Sequence, residues 1–142
     1  MILLGLSLVW IAYALIESLR EGFYWFFKAN SRKDCQFEIH PIFMLQRGLV
    51  MVLLSCLTWY SYGFCMTIVN FISMGMVFSF FHNGGYYLTR NKIDKNTYPL
   101  GWKDQSTTST AKLTKFMTFR NRSILMVIGY AILTFAYLCY VK

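Results

Sequence analysis

Residues 41–90 read PIFMLQRGLVMVLLSCLTWYSYGFCMTIVNFISMGMVFSFFHNGGYYLTR, and how this stretch is divided decides the fold. Its only ionisable side chains besides the tyrosines and cysteines are Arg47, His82 and Arg90. As one straight helix it would run about 70 Å, more than twice the roughly 30 Å hydrocarbon core of a bilayer. Ser61-Tyr62-Gly63 is the turn signal inside it, and Pro41 suits a first helical position because its missing N–H would be unpaired there anyway. The stretch therefore predicts a tight hairpin of two apolar helices, spans 41–60 and 64–90.

Working outward, Met1 to Ile16 carries no charge and is apolar at nearly every position, the pattern of a helix surrounded by lipid. It has neither the basic leader nor the small-residue cleavage site of a secretory signal. It flows through Glu17-Ser18-Leu19-Arg20-Glu21-Gly22 into the aromatic cluster Phe23 to Phe27, so a retained span over 2–28 is expected. Span four is 122–141. Between the spans lie a polar loop, Ala29 to His40, and a longer segment, 91–121, with turn chemistry at Asn96 to Gly101 and a Ser/Thr run at Ser106 to Thr110 able to cap a helix opening near Ala111. The expected fold is all-α: an integral membrane four-helix bundle, with 1–142 as a single transmembrane domain and 91–121 as a cytoplasmic interfacial loop.

Composition agrees. The 142 residues are 56% hydrophobic and 14% charged, against about 25% charged in an average soluble chain. The net charge of +8 leaves nucleic acid, anionic lipid or membrane orientation as its cause. Position chooses among these. Thirteen of the 14 Lys/Arg residues lie in or beside the two loops, and only Lys142 lies on the far side. Since Lys and Arg mark the cytoplasmic face, both long loops are expected in the cytoplasm and both termini outside, in a plasma or inner membrane. The chain has no helix-turn-helix, zinc or RNP pattern, and no nucleic-acid partner is expected. Leu113, Phe116, Met117 and Phe119 alternate with Lys112, Lys115, Arg120 and Arg122, as in an approach helix lying on anionic lipid.

Antiparallel spans bring Glu17, Arg47 and His82 to one depth, in the cytoplasmic half. Ionisable groups inside a span cost about 2.5–3.5 kcal/mol each on insertion scales and usually face one another. Glu17 with Arg47 is the expected pair. Glu17, Arg20, Glu21 and Tyr24 form one stripe of the first helix, and His82, Tyr86 and Arg90, with Asn83 and Tyr87 beside them, form one on the third. Gly84-Gly85 either admits a neighbouring helix or loosens the helix end.

Three readings compete for this cluster. It is a satisfied network that fixes helix register; or a pocket for an anionic headgroup formed by Arg20, Arg47, Arg90 and Tyr86-Tyr87 with His82 and Asn83; or a metal site drawn from Glu17, Glu21, His40 and His82. The metal reading lacks any HExxH-type spacing. Cys35, Cys56, Cys65 and Cys139 show no CxxC spacing, and no cofactor is expected. The function expected is that of a non-enzymatic subunit, anchor or effector binding partner helices, its own copies and anionic lipid; the alternative is a lipid-active or metal-dependent intramembrane hydrolase.

Overall fold

The computed structural model describes residues 2–30, 40–105 and 116–140, without the side chains of residues 29, 30 and 40. Its elements are α1 (Ile2–Asn30), α2 (His40–Ile93), a 3-10 turn (Gly101–Lys103) and α3 (Phe119–Tyr140). No strand occurs among the described residues. Three helices, Ile2–Lys28, Pro41–Ile93 and Phe119–Tyr140, are long and apolar enough to cross a membrane.

The expectation of four helices is corrected to three, because residues 41–90 do not divide at a loop. The helix is interrupted only at Gly63, whose φ of 79° and ψ of −179° are non-helical. That conformation is essentially confined to glycine, and a side chain there costs on the order of 1–3 kcal/mol. Thr67 Oγ1 donates to Gly63 O at 2.9 Å, so ordinary helix contacts begin again within one turn. Two helical arms therefore meet at this one non-helical residue. Across it, Asn70 donates to Thr58 Oγ1 at 2.8 Å and Arg47 Nη2 lies 2.9 Å from His82 Nε2. In a straight helix residues 47 and 82 would be about 50 Å apart, so the arms before and after Gly63 lie side by side.

Other boundaries shift less. His40 falls inside α2 rather than before it, α2 runs on to Ile93, and α3 begins at Phe119. In the connection after α2, Asp94 ties its own turn: Asn96 N donates to Asp94 Oδ1 at 3.0 Å and the Thr97 hydroxyl donates to Oδ2. These two bonds, the hydroxyl first, hold the Asp94 carboxyl below its ordinary range. Leu100 N and Gln105 N then donate to Asp104, closing the 3-10 turn on itself. The Ser31 to Asp34 loop, Cys35, the proposed cap at Ser106 to Thr110, the Lys112, Leu113 and Lys115 segment and Lys142 lie outside the described residues.

α1 and α3 each pack on α2. One buried cluster joins Leu6 and Trp10 of α1 to Leu54 and Met74 of both α2 arms, with Trp10 Nε1 donating to Met74 O at 2.9 Å. A second joins Leu3, Met66 and Leu133, one residue from each helix. Helix approach is close where small residues repeat at four-residue spacing: Ser18 and Gly22 on α1 meet Gly85 and Thr89 on α2. Gly129 of α3 sits against Ser73 O and Val77 in the same way. Away from these seams the surface is apolar; Ile16, Leu53 and Phe135 are 66%, 64% and 72% exposed. Faces of this kind are stable in lipid and are a liability in water.

Candidate functional site

Glu17 and Glu21 are one turn apart on α1, so their carboxylates leave the same face of the helix. Arg47, on the first arm of α2, reaches both. Its Nε donates to Glu17 Oε1 at 2.8 Å and its Nη2 to Glu21 Oε2 at 2.7 Å. The two carboxylates thus share one guanidinium. Glu17 and Glu21 have side chains 1% and 9% exposed, and Arg47 keeps 18% of its own. Trp25 Nε1 donates to Glu21 Oε1 at 3.3 Å, occupying the second oxygen.

His82, on the second arm, closes the set. Its Nε2 is 2.9 Å from Arg47 Nη2 and 3.0 Å from Glu21 Oε2, and its ring stacks on Phe78 at a centroid distance of 4.8 Å. With the imidazole neutral, Nε2 accepts from Arg47 and Nδ1–H donates to Asn83 Oδ1 at 3.2 Å. Asn83 Nδ2 then donates to Ser79 Oγ at 3.1 Å. With a second proton, Nε2–H donates to Glu21 instead and sets its charge against Arg47. Either state occupies both ring nitrogens, and neither leaves one free to take a proton from a substrate. The guanidinium also stands where the carboxylates and imidazole converge, so the protein supplies its own cation there. Among the described residues no group of three or more His, Cys, Asp or Glu is arranged to hold a metal ion.

The remaining residues singled out in the sequence are not gathered here. Arg20 turns to the side, donating to Gln46 Oε1 at 2.7 Å with its guanidinium 4.7 Å over the Phe43 ring. Tyr86 and Tyr87 pack with Tyr98, at centroid distances of 6.0 and 4.9 Å. Arg90 is one turn further and its buried Nε has no hydrogen-bond partner. The His40 side chain lies outside the described residues. The stripes His82, Tyr86, Arg90 and Glu17, Arg20, Glu21, Tyr24 are therefore each divided between two environments.

Two tertiary contacts had no sequence signal. Arg122, read as one more interfacial cation, is fully buried: Nη2 donates to Asp104 O at 2.7 Å and Trp102 O at 3.3 Å, and the guanidinium lies 5.2 Å over the Tyr87 ring. It clamps the 3-10 turn to the start of α3. Trp102, in turn, packs against Gly84, where a Cβ would come within 2.2 Å of its ring.

Comparison of the chain with protein-family models, curated proteins and solved structures gives no match.

Proposed function

We propose that this chain is a multi-pass integral membrane protein that acts without catalysis, as a subunit, anchor or effector. Supporting this most is the mutual bonding of the Glu17–Glu21–Arg47–His82 set, in which one guanidinium is shared by two carboxylates and an imidazole, while the outward faces are apolar. A network of this kind holds helices in register in a medium where an unpaired charge is costly. In this reading the two arms of α2 cross separately, giving four crossings, and the whole chain is one transmembrane unit. The basic loops face the cytoplasm, with both termini outside. Arg20, Tyr86 and Arg90 then lie at the cytoplasmic end, where they meet anionic headgroups, while Tyr87 is buried beneath Arg122.

The headgroup part is tested by native mass spectrometry of protein purified in mild detergent from membranes containing phosphatidylglycerol and phosphatidylcholine. Arg20→Gln with Arg90→Gln, which leaves Arg47 intact, is expected to lower retained phosphatidylglycerol several-fold and leave phosphatidylcholine unchanged. Equal retention in the variant and the parent overturns the headgroup reading. Stoichiometric metal lost on His82→Ala overturns the non-enzymatic one.

A further inference from the structure

At the end opposite the ion network, α1 and α3 line a cavity of about 200 Å³. Its walls are Leu3, Leu4 and Ser7 on one side and Leu133, Thr134 and Tyr137 on the other, without a charged side chain. A pocket of about 10 Å³ shares Ser7, Tyr130 and Leu133 with it and reaches Trp10 and Ser73. Ser73 is 1% exposed and its Oγ has no hydrogen-bond partner. By contrast, the hydroxyls of Ser55, Thr58, Thr67, Thr89 and Ser123 all bond back to a carbonyl of their own helix. Tyr137 of the lining has the Tyr62 ring edge-on at 6.2 Å, and Tyr62 lies 5.5 Å from Tyr140, so three tyrosines gather at this end.

We propose that this cavity holds one acyl chain of a bilayer lipid. Size decides against a helix, which is about 10 Å across, whereas an apolar cavity of about 150 Å³ accepts a benzene-sized guest. Its walls belong to two helices whose outer faces are apolar, so in the membrane reading on which this rests its solvent is hydrocarbon. The tyrosines at the outer end suit the ester and glycerol level of a lipid, as interfacial aromatic residues do. Leu3, Leu4 and Leu133 then meet its methylenes. The 10 Å³ pocket has the size of one water, for which Ser7, Ser73 and Tyr130 provide hydroxyl partners. That water would seal the polar floor and satisfy Ser73. With no charge in the lining, the site selects a chain and not a headgroup, unlike the basic end of the molecule.

The test is reconstitution of the full chain in vesicles of phosphatidylcholine bearing a diazirine at mid-chain, irradiation, and mapping of adducts by mass spectrometry. Adducts are expected at Ser7, Leu133 and Thr134 as well as at outward Leu53 and Val127, and phosphatidylglycerol with the same chain should label equally. Ser7→Phe, filling the cavity from α1, should lower the adducts at Leu133 and Thr134 several-fold while Leu53 and Val127 are unchanged. Thr134→Phe, from the facing wall, should do the same to Ser7. Adducts on the outward residues but none in the cavity, or cavity adducts indifferent to both substitutions, overturn the proposal. No adducts on any helix would instead overturn the membrane reading.

Discussion

Replacing Arg47 by Met is expected to abolish most of the folded protein. The substitution strands Glu17 and Glu21, both buried and otherwise compensated by the same guanidinium. Removing one partner of a buried ion pair costs about 3–5 kcal/mol, a large share of a small protein's stability. Two stranded carboxylates put this case at the upper end. The pairwise rescue that the sequence suggests, Glu17→Gln with Arg47→Met, should recover little, since Glu21 remains charged. Glu17→Gln, Glu21→Gln and Arg47→Met together should recover most of the monodisperse yield and melting temperature in detergent. The comparison is a coupling measurement, and the coupling should reside in the threesome and not in any pair. Recovery by the double variant alone would show that Glu21 does not depend on Arg47 and is held by His82.

Gly85→Val is the second substitution expected to be severe. A Cβ on Gly85 would lie 2.2 Å from Ser18 Oγ and 3.1 Å from Ser18 Cβ. Ser18 is fully buried and its hydroxyl is held by Leu15 O at 2.6 Å, so it has no rotamer to retreat into without giving up that bond. α1 would have to move away from α2, taking Glu17 and Glu21 from Arg47. Overpacking commonly costs about 1–3 kcal/mol, and the disturbed ion network adds to this. Gly85→Ala should lower the melting temperature less than Val, and Ser18→Gly should restore part of the loss in the Ala variant. If Gly85→Ala melts with the parent, the helices do not meet at this seam.

The sequence carried the helical class and the juxtaposition of Glu17 with Arg47, because both follow from period and length. Apolar runs too long for one crossing must fold back, and folding back aligns positions 47 and 82 at one depth. It could not say that a single residue would make the turn. Ser61-Tyr62-Gly63 marked where the turn falls, but that Gly63 alone leaves the helical region is seen only in its backbone angles. Nor could spacing tell Glu21 from Arg20, since both lie within one turn of Glu17; the side that faces α2 is set by Ser18 and Gly22 seating against Gly85 and Thr89. Arg122 was misread for a related reason. Lys and Arg ahead of an apolar run ordinarily remain in water, and only the fold of the 3-10 turn brings two carbonyls to this one. The Gly84-Gly85 pair allowed either close approach or a loosened end, and close approach prevails on both glycines, with Trp102 at one and Ser18 at the other.

In the proposed reading the chain crosses a membrane four times, reversing at Gly63, with its basic loops on one side. Three single-cysteine proteins test it most directly: native Cys35 alone, Tyr60→Cys and Lys142→Cys, the last two with the native cysteines replaced by alanine. Tyr60 is 92% exposed beside the turn. In intact cells an impermeant maleimide is expected to label the proteins carrying Tyr60→Cys and Lys142→Cys at once, and the Cys35 protein only after permeabilisation. Labelling of the Tyr60→Cys protein from the same side as the Cys35 protein would contradict the account.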